Sequence, residues 1–157
     1  MAHIEKSIEV KKPVNEVYSQ WTQFEEFPRF MENVEEVRQL DDRHLEWKAK
    51  IWGSDRRWKA EIVEQKANQV IAWRSTSGER NNGTVHFQPT DGQTRVTLML
   101  DYEPPGGGVG ETGDKLLQTT AGQVESDLKR FKKFVEERPG PTGAWKGEID
   151  PSGKVKH

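Results

Sequence analysis

The sequence predicts an α+β domain in which an antiparallel sheet of seven strands wraps around one long C-terminal helix. Two observations lead to this prediction. Between residues 34 and 102, apolar side chains alternate with polar ones, which is the period of half-buried strands. From residue 114 to 138, apolar residues instead recur every three or four positions, as they do along one face of a helix. The apolar faces of strands and helix must bury one another.

Three elements are predicted before the repeated strands. The first strand covers residues 3–12, where Lys6 interrupts an otherwise apolar face. A short helix follows, because Pro13 suits a first helical turn and an apolar stripe comes after it. Residues 24–31 form a second short helical piece, restarted around Pro28 because proline lacks an N–H and disfavours helical geometry before it. The predicted order therefore begins with a strand and two short helices.

Six further strands are predicted up to residue 102, joined by tight turns. Gly53-Ser54-Asp55 and Asp91-Gly92 have the composition of hairpin turns, and Asn82-Gly83 indicates a turn or a bulge. Charged residues occupy the outward positions of these strands, while the inward positions are largely apolar or aromatic. An antiparallel meander with a polar outer face follows from this pattern.

A glycine-rich segment, residues 104–113 (PPGGGVGETG), joins the last strand to the long helix. Its letters GVGETG match the G-x-G-x-x-G of dinucleotide-binding loops. That motif requires a parallel strand after the helix, whereas here a Pro/Gly-rich segment follows. We therefore expect no cofactor, and interpret the segment as a flap over a cavity mouth or as a plain connector. Residues 1–138 form one predicted domain, and residues 139–157 a flexible Pro/Gly-rich tail.

Composition excludes several classes of function. The net charge is −2 with both signs interleaved, so the basic excess typical of nucleic-acid binders is missing and we expect no such partner. The absence of cysteine excludes disulfides and thiolate chemistry. No run approaches the ~20 apolar residues of a membrane span, and the N-terminus lacks a signal segment. We expect a cytoplasmic protein without stable membrane insertion.

Catalytic and metal-binding motifs are not found in the sequence. The four histidines are scattered, whereas a metal site needs about three or four convergent donors, so we expect no metal. No G-x-S-x-G elbow for a nucleophilic serine is present. Arg56, Arg74 and Glu103 lie near strand ends, where they are either solvated charges or residues of a cavity mouth. No catalytic residue is assigned.

The N-terminal part, IEKSIEVKKPVNEVYSQWTQFEEFPRFMENVEEVRQLDD, resembles the polyketide cyclase/dehydrase branch of the START-like (SRPBCC, helix-grip) superfamily. That branch includes aromatase/cyclases and the bacterial coenzyme-Q-binding type of START-like protein. The features that carry the resemblance are Pro13, Val17-Tyr18, the FPRFM segment and the tryptophan-rich strands. It extends over about residues 3–137 and is specific for the fold rather than for the function.

The resemblance implies a cavity between the sheet and the long helix, with its mouth near residues 24–31 and 104–113. It implies a ligand-binding set formed by the short helices and the inward strand positions. This set comprises Phe27, Phe30, Met31, Trp47, Trp58, Trp73, Phe87, Leu98 and Tyr102. An aromatic core that fills the sheet completely is the alternative interpretation of the same residues.

Three functional hypotheses follow. The first is noncatalytic binding or carriage of a small hydrophobic molecule, such as a lipid, a quinone or a polyketide-like compound. The second is an aromatase/cyclase or dehydratase that acts in the same cavity, and the third is a protein-interaction module like that of ribosome-associated relatives. The oligomeric state is left open by the sequence.

Overall fold

The computed structural model describes residues 2–51, 53–103 and 111–157, with the side chains of the last range described from residue 118 onwards. It has the predicted α+β architecture, a large antiparallel sheet with a long C-terminal helix. The strands are β1 (Ala2–Val10), β2 (Val34–Gln39), β3 (His44–Ile51), β4 (Ser54–Lys66), β5 (Val70–Gly78), β6 (Asn81–Thr90), β7 (Gln93–Tyr102), β8 (Glu148–Ile149) and β9 (Val155–Lys156). The helices are α1 (Val14–Trp21), a 3-10 helix (Phe24–Arg29) and α2 (Glu111–Glu136).

Seven strands follow one another across the sheet in the order β1-β7-β6-β5-β4-β3-β2, and every pair is antiparallel. The register places Ile4 opposite Leu100 and Ile8 opposite Val96, so the apolar faces of β1 and β7 coincide. Lys6 shares this inward face, opposite Leu98. Its ammonium reaches Glu125 of α2 at 3.6 Å, so the charge that interrupts the apolar pattern joins the sheet to the helix.

α2 begins at Glu111, three residues before the predicted start at 114. The buried side chains Val124, Leu128, Phe131 and Val135 form its apolar face and belong to the main core. Most of the glycine-rich segment predicted as a flap or connector, residues 104–110, lies outside the described residues.

The break before the second short helix occurs earlier than Pro28. α1 ends at Trp21, and the Thr22 hydroxyl donates to the Ser19 carbonyl at 2.6 Å. Pro28 lies inside the 3-10 helix rather than at its start. This tight helix leads directly into the turn in which the N–H groups of Phe30 and Met31 both bond the Phe27 carbonyl.

The turn predictions have different outcomes. Asp91 and Gly92 form the β6–β7 turn, both with positive φ (47° and 81°), as hairpin turns require. Asn82-Gly83 is wrong as a turn, because Gly83 lies inside β6, opposite Trp73 and Leu100. A Cβ at Gly83 would come within 2.1 Å of Trp73 Cζ2. The glycine is therefore required there by the close approach of an indole ring.

The C-terminal segment, predicted as a flexible tail over residues 139–157, is packed against the domain. Ile149 is fully buried and pairs with Gln65 of β4, beyond the part of β4 that β3 covers. Further upstream, the buried Gln20 exchanges two hydrogen bonds with Thr142, at 3.0 and 2.9 Å. The segment therefore contributes a buried side chain, Ile149, to the domain and supplies the hydrogen-bond partner of the buried Gln20 amide.

Candidate functional site

A cavity of about 510 Å³ lies between the sheet and α2. Of the nine residues predicted to bind a ligand, seven line it. They are Phe27, Met31, Trp47, Trp58, Trp73, Leu98 and Tyr102. The expected space between sheet and helix is therefore present, and the aromatic side chains surround it without filling it.

Phe30 and Phe87 do not line this cavity, which corrects two positions of the predicted set. Phe30 is 2% exposed, with its ring centroid 5.1 Å from that of Phe131. Phe87 is 5% exposed and meets the edge of Tyr18 at 5.2 Å. Both have the right phase on their elements, but neighbouring rings from α1 and α2 cover them. They form part of the core between the helices and the sheet.

The closed end of the cavity is formed by residues outside the predicted ligand-binding set. Trp21 and Phe24 line it while being only 2% and 5% exposed. Trp21 packs its edge on Phe27 at 5.5 Å, and Phe27 is itself 2% exposed. The short helices therefore supply the inner wall, whereas the sequence placed Phe27 at the mouth. Only Met31 of the predicted short-helix set is partly exposed.

The opening can be located from the lining residues that are exposed to solvent. They lie on the turns at one end of the sheet and on the first described turns of α2. These residues are Asn33, Lys50, Gly53, Arg80, Glu103 and Thr119. The cavity thus runs from a polar opening to an aromatic closed end.

One wall of the cavity is built from stacked indoles. Trp47 of β3 and Trp58 of β4 are directly opposite each other, with ring centroids 5.6 Å apart and planes inclined by 8°. Phe27 tilts against the same Trp47 ring at 5.5 Å. On β5, the Trp73 indole N–H donates to Asn81 Oδ1 at 3.2 Å, which fixes its orientation. Flat, rigid rings of this kind offer a large contact area to an apolar ligand.

Four charged side chains near the opening form two ion pairs, whereas Lys50 forms none with the described residues. Arg56 contacts Glu79 at 3.1 Å, and Arg80 lies 3.8 Å from Glu103; of these four, all except Arg56 line the cavity. Arg74, the third strand-end charge considered from sequence, instead pairs with Glu61 and is not among the lining residues. The opening therefore carries both signs of charge.

α2 presents two parallel rows to the cavity. The apolar row contains Val124 and Leu128, one helical turn apart. The polar row contains Thr119, Gln123 and Asp127, which are spaced four residues apart and therefore lie on one side of the helix. The helical pattern of the sequence shows the apolar row directly. The polar row was missed because polar residues beside a stripe are normally solvated.

Asp127 is the carboxylate at the inner end of this polar row. Its side chain is 18% exposed, and Oδ1 accepts from Gln123 Nε2 at 2.9 Å and from Arg130 Nη2 at 2.7 Å. Burial raises the pKa of Asp127 above its usual value, although these two donors and the Glu32 N–H act in the opposite direction. The Arg130 Nε also donates to the Phe30 carbonyl at 3.0 Å. The cluster thereby holds the loop before β2 against α2.

The described residues contain no group of three or more His, Asp or Glu side chains arranged to hold a metal ion. Within the same residues, no helix is long and apolar enough to cross a membrane.

The sheet wrapped around a long helix, with a cavity between them, is the START-like, helix-grip fold. The chain belongs to the family described as polyketide cyclase/dehydrase and lipid transport, whose model matches residues 10–129. This is the family that the N-terminal residues resemble.

Individual proteins are similar to this chain in sequence or in fold. An uncharacterized 17.2 kDa protein from Streptomyces lincolnensis is 41% identical over 151 residues, covering 95% of this chain and 99% of its own. The fold is similar to that of a START superfamily protein from Mycobacterium smegmatis, with 17% identity and a TM-score of 0.72 over 86% of this chain and 97% of the other. It is also similar to the Zhui aromatase/cyclase from Streptomyces sp. R1128, with 17% identity and a TM-score of 0.70 over 92% and 99%.

Proposed function

We propose that this protein binds a small hydrophobic molecule, such as a lipid, a quinone or a polyketide-like compound, in the cavity between the sheet and α2. The cavity itself is the observation that carries this proposal. Its volume of about 510 Å³ lies within the range of about 300–1,000 Å³ typical of small-molecule sites. Its walls are mainly apolar and aromatic, with a few polar groups in defined places, which is the usual composition of such a site.

The position of the polar groups supports one orientation of the ligand. The closed end at Trp21 and Phe24 offers only apolar contact, whereas the opening carries Arg80, Glu103 and Asn33. An apolar body would therefore enter first, and a polar end would stay near water, where its solvation is retained.

Two phenylalanines in neighbouring positions allow a direct test. Phe27 and Phe30 are both 2% exposed, but only Phe27 lines the cavity. Phe27→Leu should weaken the binding of 1-methoxynaphthalene, because it removes ring contact from the cavity wall. Phe30→Leu should lower the free energy of unfolding by about 1–3 kcal/mol and leave probe affinity within about twofold. Quenching of the cavity tryptophans measures the first effect, and urea unfolding measures the second.

The proposal would be contradicted if the wild-type protein showed no saturable binding of the probe. Equal loss of affinity in both variants would also argue against the cavity as the binding site, because Phe30 does not line it.

Cyclisation or dehydration of a poly-keto molecule in the same cavity is the second candidate function. The observation in its favour is Asp127, a largely buried carboxyl at the cavity wall whose pKa is raised by burial. Groups of this kind serve as acids and bases. Conversion of a linear poly-keto thioester into a cyclic product by the purified protein would favour catalysis over carriage.

A further inference from the structure

Gln123 is held in one orientation by its neighbour on α2. Its Nε2 donates to Asp127 Oδ1 at 2.9 Å, and Asp127 follows one helical turn later. The two ends of an amide are different, since the NH₂ group only donates and the carbonyl oxygen only accepts. A carboxylate accepts hydrogen bonds and cannot donate them. The amide must therefore direct its NH₂ group towards Asp127.

Asp127 is itself held as an acceptor. Besides Gln123, it receives hydrogen bonds from the Arg130 guanidinium at 2.7 Å and from the backbone N–H of Glu32. Every one of these partners is a donor, so a flipped Gln123 amide would place oxygen against oxygen. The orientation of Gln123 is thus imposed by Asp127, which is itself held by the Arg130 guanidinium of α2 and by the Glu32 N–H in the loop before β2.

Gln123 lines the cavity, and its carbonyl oxygen Oε1 is the polar atom that the hydrogen bond to Asp127 does not use. Among the described residues, no hydrogen bond to this oxygen is present, and Gln123 has no other side-chain hydrogen bond. The apolar row of Val124 and Leu128 continues beside it. The helix wall therefore presents Gln123 Oε1 as an acceptor of defined orientation next to the apolar row, with Thr119 and Asp127 on either side of it in the polar row.

We propose that Gln123 selects ligands that carry a hydrogen-bond donor, such as a phenolic or alcoholic hydroxyl, over ligands of the same shape that carry only acceptors. This inference rests on the proposed binding function and specifies the ligand class. Gln123 is the residue that contacts the ligand, and Asp127 is a positioning residue that acts through Gln123. A carbonyl or ether oxygen at the same position would face an oxygen lone pair and lose its hydrogen bond to water.

A pair of probes that differ by one hydrogen-bond donor tests the proposal. 1-Naphthol and 1-methoxynaphthalene share an aromatic body, but only the first can donate. Their dissociation constants are measured by tryptophan quenching for wild type, Gln123→Met and the control Gln118→Met. Gln118 is an exposed residue of α2 that does not line the cavity, so the control makes the same chemical change outside it.

Gln123→Met should reduce the ratio of naphthol to methoxynaphthalene affinity by about fivefold, the equivalent of one net hydrogen bond. Gln118→Met should leave the ratio unchanged. Comparing ratios removes the intrinsic difference in hydrophobicity between the two probes. Asp127→Asn should also reduce the ratio, because an asparagine amide can donate to Gln123 and no longer fixes its orientation. This second variant provides an independent result if Gln123→Met does not fold.

The outcomes separate this inference from the proposed function. If both probes bind and the ratio is the same in wild type, Gln123→Met and Asp127→Asn, the selection of donors is overturned while the binding function stands. If neither probe binds the wild-type protein, the binding function is overturned, and this inference with it. A reduced ratio in the two cavity variants, with an unchanged ratio in Gln118→Met, supports the proposal.

Discussion

Tyr18 shows how a single residue of α1 depends on the tertiary structure. Its side chain is fully buried, and its hydroxyl accepts a hydrogen bond from Gln65 Nε2 at 3.0 Å. Its ring meets the edge of Phe87 at 5.2 Å. Burial raises the pKa of Tyr18 from 10.0 to about 12, only partly offset by Gln65. The phenol is therefore kept neutral by the fold over a pH range in which the unfolded chain ionises.

The pH dependence follows with a definite sign. Above pH 10 the unfolded chain releases the Tyr18 proton while the folded protein retains it, so stability falls as pH rises. This contribution is present below pH 10 and is lost by about pH 12, a loss of roughly 2–3 kcal/mol. Urea unfolding at increasing pH should show a steeper alkaline loss for wild type than for Tyr18→Phe.

Phenolate absorbance provides a direct control for this prediction, because the chain has only two tyrosines. The late-titrating phase should disappear in Tyr18→Phe. A wild-type curve without a phase that titrates well above pH 10 would contradict it.

At the level of elements, the C-terminal segment is joined to the end of α1 and the residue after it by hydrogen bonds at two positions. Thr142 exchanges hydrogen bonds with the buried Gln20 amide, and the backbone N–H of Trp145 donates to Thr22 Oγ1 at 3.2 Å. Beyond it, β8 and β9 form a small hairpin whose Ile149 enters the main core. The family model ends at residue 129, so this hairpin is an addition to the matched region.

Ile149→Ala should lower the free energy of unfolding by about 2–5 kcal/mol, because it leaves a cavity under β4. Lys156→Ala, an exposed change in the same hairpin, should stay within about 0.5 kcal/mol of wild type. Chemical unfolding followed by tryptophan fluorescence measures both. An effect of Ile149→Ala no larger than that of Lys156→Ala would show that the hairpin does not contribute to the core.

At the scale of the whole molecule, the cavity is an interruption in the packing between the sheet and α2. Interiors are normally close-packed, so a cavity of about 510 Å³ forgoes dispersion contacts that a filled core would make. Proteins tolerate such a cost where function requires open space, and filling it is a common route to greater stability.

Leu100→Phe should therefore raise stability and weaken ligand binding together. Leu100 lines the cavity from β7 and is only partly buried, so a larger ring can extend into open space. We expect a gain of roughly 0.5–2 kcal/mol in the free energy of unfolding. Affinity for 1-methoxynaphthalene should fall at least about tenfold, because the new phenylalanine ring occupies the part of the cavity that the probe would fill. Leu40→Phe, at an exposed residue outside the cavity, should change neither quantity. Stabilisation without a loss of affinity would place the binding site elsewhere.

Local pattern accounts for much of the agreement between sequence and structure. The alternation in β7 identifies Leu98 and Tyr102 as inward residues, and both are buried and line the cavity. The helical spacing of Val124 and Leu128 likewise identifies the buried face of α2. These features could be predicted because the period of a strand or helix depends only on backbone geometry, which is the same in every fold.

Periodicity predicted the order of strands and helices before residue 139 and the inward faces of β7 and α2, and the family resemblance predicted the START-like fold. Tertiary packing set how far each inward residue lies from the cavity, which the pattern does not predict. Phe27 lines the cavity whereas Phe30 is covered by Phe131, although both belong to one short aromatic segment. It also decided that Ile149 enters the core and that Asp127 orients Gln123. The physical reason is that periodicity specifies the face of an element, whereas depth on that face depends on which distant elements pack against it.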